Sequence, residues 1–184
     1  MKPEKITEMS AADLDAILDR LTGEILARHK KLDDLVVVGI RTGGAHLANR
    51  LAAKMKRRTK HEVKVGVLDI TLYRDDWTRI SHMPVVRKTE LPGSIDDQAV
   101  VLVDDVLFTG RTIRAALDAL MDWGRPRLIE LAVLVDRGGR ELPICPTFVG
   151  RVLTLAPGRR VNVYLNEMGR ADEVAIEGGH PERP

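Results

Sequence analysis

The sequence of 184 residues contains one cysteine, Cys145, and no long apolar run. A single cysteine cannot form a disulfide within the chain or supply a cysteine-built zinc or iron–sulfur cluster. The most sustained apolar stretches, residues 35–38, 99–103 and 131–135, are far shorter than the roughly 20 residues of a membrane-spanning helix. No cationic start is followed by an apolar segment, as in a secretory signal. These absences predict a cytoplasmic protein in a reducing compartment.

Neither sign of charge is in large excess, since 29 Lys and Arg against 27 Asp and Glu leave a net charge of +2. This balance does not by itself imply a nucleic-acid partner. A basic cluster at residues 54–60 is interpreted as the solvated end of a helix, where cations complement the helix dipole. With 44% apolar and 30% charged residues, the composition is typical of a single globular domain over residues 1–184.

Apolar periodicity predicts strands that alternate with helices. Ser10 and Asp13 form a capping pair before the first helix, whose apolar residues recur on one face. Such an alternation is typical of an α/β fold with a mostly parallel twisted sheet covered by helices on both faces. The predicted helices cover residues 10–29, from 44 onward and 112–123; the predicted strands cover residues 35–40, 63–72, 99–103, 128–135 and 162–165.

Residues 73–98 show no sustained periodicity of either kind. Long unpatterned segments inside compact domains are uncommon and are often lids or binding loops. This one contains Arg74, Arg87 and Lys88, which could meet an anion. We therefore expect a mobile lid that closes over a negatively charged ligand.

The sharpest motif is the segment from 100 to 112, VVLVDDVLFTGRT. A buried strand leads to the carboxylates of Asp104 and Asp105, which can accept hydrogen bonds from a pair of sugar hydroxyls. Thr109, Gly110 and the start of the next helix then offer hydroxyls, close backbone approach and free N–H groups to a phosphate. This order of groups fits a ribose 5-phosphate.

An ordinary turn after a solvated Asp pair is the structural alternative. Three other Asp pairs, at 33–34, 75–76 and 96–97, serve as comparisons, and none precedes Thr-Gly-Arg-Thr. Neither Gly-x-Gly-x-x-Gly nor Gly-x4-Gly-Lys-Ser/Thr is present. The five histidines show no metal-site spacing, so no residue is assigned as a metal ligand.

Residues 100–112 resemble the phosphoribosyl pyrophosphate (PRPP) signature of the type I phosphoribosyltransferases. Further segments, at 38–44, 69–76, 124–126 and 131–143, resemble the PyrR family of bifunctional pyrimidine operon regulators and uracil phosphoribosyltransferases. The similarity covers nearly the whole chain, from the first helix to Glu177. It implies the type I phosphoribosyltransferase fold, with a small hood beside the sheet.

The resemblance implies a role for each matching position. Asp104 and Asp105 would hold the ribose hydroxyls, and Arg74, together with Arg87 or Lys88, would meet pyrophosphate from the lid. The pyrophosphate loop would be Arg41, Thr42, Gly43 and Gly44. The 5′-phosphate would be wrapped by Val106, Leu107, Phe108, Thr109, Gly110, Arg111 and Thr112, and the base pocket would involve Asp136, Arg137 and Val161.

The implied reaction converts uracil and PRPP into UMP and pyrophosphate, with Mg²⁺ bound together with PRPP. It needs no covalent nucleophile, and its main demand is stabilisation of the departing pyrophosphate. Purine-using relatives place an acidic residue at the position of Phe108, so an apolar ring there weighs against a purine phosphoribosyltransferase.

Two positions depart from the family pattern. Gly43 replaces an arginine in the pyrophosphate loop, and Gly139 stands where a histidine is often found. Gly43 keeps open a second interpretation, a nucleotide-sensing regulator with little catalysis. The family also implies a homodimer or higher homo-oligomer and UMP- or UTP-responsive binding of pyrimidine leader mRNA. The candidate basic faces for that RNA are residues 29–31, or Arg137, Arg140, Arg151, Arg159 and Arg160.

Overall fold

The computed structural model describes residues 5–75 and 88–178. Its centre is a parallel five-stranded sheet in the order β3-β2-β4-β5-β6. The carboxyl ends of all five strands therefore meet at one edge. The strands are β2 (Leu35–Ile40), β3 (Lys64–Leu68), β4 (Ala99–Leu107), β5 (Leu128–Asp136) and β6 (Phe148–Val152), and β1 belongs to a second sheet.

Three helices cover both faces of this sheet, as the sequence predicts. They are α1 (Ala11–Arg28), α2 (Gly43–Thr59) and α3 (Arg111–Met121). Val37 and Val101 face the core formed with α1 and α2, whereas Val36 and Val100 face the core formed with α3. Because successive side chains on a strand point to opposite faces, burial on both faces requires continuous apolar runs.

A small antiparallel sheet lies beside the main one and forms the hood. Its order is β1-β8-β7, with β1 (Lys5–Met9), β7 (Arg159–Tyr164) and β8 (Glu173–Gly178). Val161 and Val163 of β7 and Val174 of β8 are buried in the core that α1 and α2 share. The hood is thus packed onto the sheet through apolar contacts.

Several boundaries differ from the sequence-based expectation. β3 ends at Leu68, and a 3-10 turn at Thr71–Tyr73 follows instead of further strand. β4 continues to Leu107, because its pairing with β5 extends past the carboxylates to Leu107 and Asp136. The predicted start of α1 is confirmed, since Ser10 and Asp13 form a reciprocal capping box. No helix within residues 5–75 and 88–178 is long and apolar enough to cross a membrane.

Two basic residues that the sequence suggests are solvated instead lie against carboxylates, Lys54 buried and His29 half-buried. Lys54 is 4% exposed, and its ammonium lies 2.6 Å from Asp15 and 3.1 Å from Asp19 of α1. His29 lies 2.6 Å from the buried Glu130 of β5. The surface interpretation was wrong for both, because packing of α1 against α2 and β5 places carboxylates next to these side chains.

Candidate active site

Four segments bring polar groups to the carboxyl edge of the main sheet. Residues 41–44 lead from β2 into the first turn of α2, residues 108–110 connect β4 to α3, residues 137–147 follow β5, and residues 69–75 follow β3. Ligands of open parallel sheets bind at this edge. The structure therefore groups most of the predicted site residues at one place.

Asp104 and Asp105 lie near the end of β4, at this edge of the sheet. Desolvation raises the pKa of Asp104 well above its ordinary value, the charge of Asp105 adds to this, and Arg74 acts in the opposite direction. Desolvation also raises the pKa of Asp105, against a hydrogen bond of 2.8 Å that its Oδ1 accepts from the Val106 amide. Desolvation therefore disfavours the charged form of both carboxyls, and a hydrogen-bond donor or a cation at this place would stabilise that form.

The phosphate loop begins where β4 ends and α3 starts. Gly110 occupies the N-cap of α3 with φ of 93°, a left-handed conformation that favours glycine. A pocket of about 290 Å³ is lined by Arg74 and residues 106–113. This pocket contains the predicted loop from Val106 to Thr112, at the N-terminus of α3, where backbone amides bind anions.

The predicted pyrophosphate loop leads into the first turn of α2. A Cβ built on Gly44 would lie 2.2 Å from the carbonyl oxygen of Val103, and one on Gly43 would lie 2.3 Å from Oδ2 of Asp105. α2 therefore begins in direct contact with β4 and its carboxylates. The Arg41–Thr42 peptide is cis.

The residues predicted to form the base pocket lie in the segment after β5 and in the hood. The Arg137 guanidinium stacks on the ring of Phe108, with its carbon 3.8 Å from the ring centroid. Gly139 has φ of 71°, and a Cβ there would lie 2.4 Å from that ring. The glycine at the family's histidine position thus leaves room for Phe108.

A second cavity of about 530 Å³ connects the hood to the carboxylates. Its lining includes Asp105, Val106 and Val161, the residue predicted to lie beside the base pocket, and the hood residues Tyr164 and Arg170. Tyr164 and Arg170 are not among the residues that the sequence motifs predict. The one available signal was their position in and just after the short predicted strand at 162–165.

The ends of the predicted lid are anchored on the body of the protein. Before the undescribed residues 76–87, Asp75 lies 2.7 Å from the Arg111 guanidinium, which also contacts Glu141 at 2.6 Å. After those residues, the carbonyl of Lys88 accepts a hydrogen bond of 3.0 Å from the Arg41 guanidinium. Arg41 thus links the pyrophosphate loop to the lid segment. Arg87 and the central part of the predicted lid lie outside the described residues.

A larger concavity, of about 1060 Å³, lies away from these groups, between α2 and the hood. Arg50 occupies it in contact with Glu167 at 2.5 Å and Asp172 at 2.6 Å. Those ion pairs raise the pKa of Arg50. Arg50, Glu167 and Asp172 are thus paired with one another, and none of the residues predicted to bind substrate lines this concavity. The candidate site is therefore the edge that carries Asp104 and Asp105.

Comparisons with known proteins agree with this geometry. The family described as the phosphoribosyl transferase domain matches residues 10–153. The chain therefore belongs to the phosphoribosyltransferases. Within them it belongs to the PyrR family: it is 54% identical to the bifunctional protein PyrR of Syntrophobacter fumaroxidans, over 92% of this chain and 91% of that protein.

Other similar proteins lead to the same family and fold. The bifunctional protein PyrR of Pelotomaculum thermopropionicum is 50% identical over 96% of this chain and 97% of its own. Among solved structures, the hypoxanthine phosphoribosyltransferase of Trypanosoma cruzi in complex with IMP aligns with a TM-score of 0.70. That alignment has 16% identity and covers 96% of this chain and 91% of the other. At that identity, the likeness supports the fold alone.

Proposed function

We propose that this protein transfers the 5-phosphoribosyl group of PRPP to uracil, forming UMP and pyrophosphate. The observation that carries the proposal is the direct continuity between Asp104 and Asp105 on β4 and the anion pocket at residues 106–113. A sugar with its 5′-phosphate in that pocket has its two ring hydroxyls at the carboxylates. Arg74 lines the same pocket.

Each part of the cleft has a task in this reaction. The carboxylates of Asp104 and Asp105 accept hydrogen bonds from the ribose hydroxyls and orient the sugar, while residues 108–112 hold its phosphate. Cationic and backbone N–H groups at residues 41–44 stabilise the pyrophosphate as negative charge develops on it. Closure of the lid that the sequence predicts at residues 73–98 would exclude water, which otherwise attacks the activated sugar.

The donor set at the carboxylates fits a magnesium ion. Mg²⁺ prefers carboxylate oxygens, and the adjacent carboxylates of the buried Asp104 and the half-buried Asp105 have pKa values that desolvation raises. Among the described residues, no cluster of three or more His, Cys, Asp or Glu forms a cage, so substrate and water would complete the coordination. When bound, the ion supplies positive charge that stabilises the leaving pyrophosphate.

The base preference is predicted by Phe108. Its ring is covered by Arg137 and approached by Gly139, and an apolar ring cannot accept a hydrogen bond from a purine N–H. In a competition assay with PRPP and Mg²⁺, we expect UMP to form at least roughly 100-fold faster than IMP or GMP, as for a pocket with unmatched polar groups. Equal rates with hypoxanthine or guanine would contradict the assignment, and an absence of UMP formation would favour the purely regulatory alternative.

We propose further that the protein regulates pyrimidine genes by binding their leader mRNA as a homo-oligomer, with UMP or UTP favouring the complex. Of the candidate basic residues, Arg137 and Arg140 are engaged inside the protein, whereas Lys30, Lys31, Arg151 and Arg160 are exposed. Lys30 and Lys31 are adjacent in the chain. These two lysines line a concavity of about 340 Å³ with Arg28 and Arg127. They are the favoured phosphate contacts.

A labelled pyrimidine-leader hairpin tests the regulatory activity. We expect UMP-enhanced binding that weakens with salt, and the Lys30→Gln/Lys31→Gln variant should reduce the logarithmic salt slope by about 1.4, or about 0.7 for each lost phosphate contact on a single strand. Uracil phosphoribosyltransferase activity serves as the control and should be unaffected. Binding that is insensitive to both salt and UMP would exclude the regulatory proposal.

A further inference from the structure

Two carbonyl groups of the phosphate loop are held by the backbone of the segment that follows β5. The Arg137 amide donates to the carbonyl of Leu107 at 3.0 Å, and the amides of Glu141 and Leu142 donate to the carbonyl of Thr109 at 2.9 and 3.1 Å. These contacts join two segments about 30 residues apart. They leave the intervening carbonyl, that of Phe108, without a backbone donor from this segment.

Arg140 supplies the missing contact with its side chain. Nη1 donates to the Phe108 carbonyl at 2.9 Å, Nε donates to the Ile144 carbonyl at 3.0 Å, and Nη2 donates to Oδ2 of Asp136 at 2.6 Å. The side chains of Arg140 and Asp136 are 23% and 15% exposed. One guanidinium therefore fixes the phosphate loop to the end of β5.

The three held carbonyls determine where the following amides point. In a planar trans peptide, the carbonyl of one residue and the N–H of the next point in opposite directions. The anion pocket is lined by Arg74 and residues 106–113, whereas the segment 137–142 contacts the loop through the carbonyls of residues 107–109. Holding the carbonyls of residues 107, 108 and 109 toward that segment turns the amides of residues 108, 109 and 110 toward the pocket.

We propose that Arg140 is a positioning residue for the 5′-phosphate site. It acts through the Phe108 carbonyl, which sets the orientation of the Thr109 amide, and Asp136 holds the guanidinium in place. Asp136, which the sequence analysis places in the base pocket, thereby contributes to phosphate binding. The inference rests on the proposed function, because it assumes that the pocket binds the sugar phosphate.

The test measures ribose 5-phosphate binding by calorimetry in wild type, Arg140→Gln and Arg140→Lys, together with KM values for PRPP and uracil. We expect Arg140→Gln to weaken ribose 5-phosphate binding roughly 10- to 100-fold, the range for losing a hydrogen bond that involves a charged group. Arg140→Lys should fall between wild type and Arg140→Gln, because an ammonium cannot make all three contacts. KM for PRPP should rise by about the same factor as the loss of ribose 5-phosphate affinity, whereas KM for uracil should change less than twofold.

Arg125→Gln is the matched control, since Arg125 is an exposed arginine beyond α3, and it should bind ribose 5-phosphate as wild type does. A folded Arg140→Gln with unchanged affinity would overturn the inference, as would equal losses for uracil and PRPP accompanied by a lower Tm. If Arg140→Gln does not fold, Arg140→Lys and Asp136→Asn decide it, and wild-type affinity in both would overturn it. Failure of the proposed function has a different signature: wild-type enzyme that makes no UMP.

Discussion

The double variant Asp104→Asn/Asp105→Asn should lose nearly all turnover and gain stability. Two charge-assisted hydrogen bonds to the ribose hydroxyls are lost together with the negative charge that favours a magnesium ion. At about 1.5–3 kcal/mol for each bond, we expect kcat/KM for PRPP to fall roughly 1000-fold. Steady-state assays of UMP formation measure this loss, and Asp33→Asn/Asp34→Asn, an Asp pair at the opposite edge, is the control that should retain full activity.

The stability gain in the same variant should depend on pH. Both carboxyls have pKa values in the folded protein above the ordinary value of 3.8, so above pH 3.8 the unfolded chain gives up these protons more readily than the folded one. The wild type therefore loses stability as pH rises through the folded pKa values. Asparagine retains the Oδ1 acceptors for the amides of Asp105 and Val106 without the charge.

Denaturant unfolding at several pH values tests this expectation. The free energy of unfolding of the double variant should exceed that of the wild type by roughly 1–3 kcal/mol at pH 7, the cost of a poorly compensated buried polar group. The difference should shrink toward pH 4. A variant that is equally active, or a stability difference that grows on acidification, would contradict the role assigned to the buried pair.

Gly44→Ala should be strongly destabilising and inactivating. The added Cβ would lie 2.2 Å from the carbonyl oxygen of Val103 and 3.0 Å from Cα of Asp104. Both contacts are backbone in the central strand, so α2 has to move away from β4. We expect a loss of about 3 kcal/mol in the free energy of unfolding, at the upper end for overpacking, and a rise in KM for PRPP.

Gly23→Ala provides a control with the opposite sign. Gly23 lies inside α1, and its added Cβ would meet only the end of the Arg58 side chain, at 3.1 Å. Alanine in a helix interior is favoured over glycine by roughly 0.5–1 kcal/mol. Thermal unfolding of the two variants should therefore give shifts in opposite directions, and a tolerated Gly44→Ala would disprove the close contact between α2 and β4.

The parts of the fold that sequence reasoning predicted correctly are those with strong local patterns. β2, β4 and β5 are continuous apolar runs because both faces of the main sheet are covered. β6 was missed because it is a short edge strand with Gly150 and Arg151 in it. β1 and β8 were missed because each is stabilised by the other, with Lys5 opposite Glu177, a pairing that no local window contains.

The residues of the candidate site also fall into two groups, those that a local motif predicts and those that only the fold brings together. Asp104, Asp105 and the phosphate loop lie in one contiguous motif, so their order along the chain already indicated a ribose 5-phosphate. Arg140 could not be identified in this way, because its role depends on the approach of its segment to the Phe108 carbonyl. Lys54 and His29 were misjudged for the same reason, since their carboxylate partners come from other elements.

The strand order of the hood has a consequence for biosynthesis. β8, the last strand in the described chain, lies between β1 and β7, so neither neighbour has its partner until residues 173–178 have left the ribosome. The five strands of the main sheet all precede residue 153 and can assemble earlier. We therefore expect the main sheet, which carries Asp104 and Asp105, to form before the hood. Unfinished chains should bind nucleotide weakly until β8 has been translated.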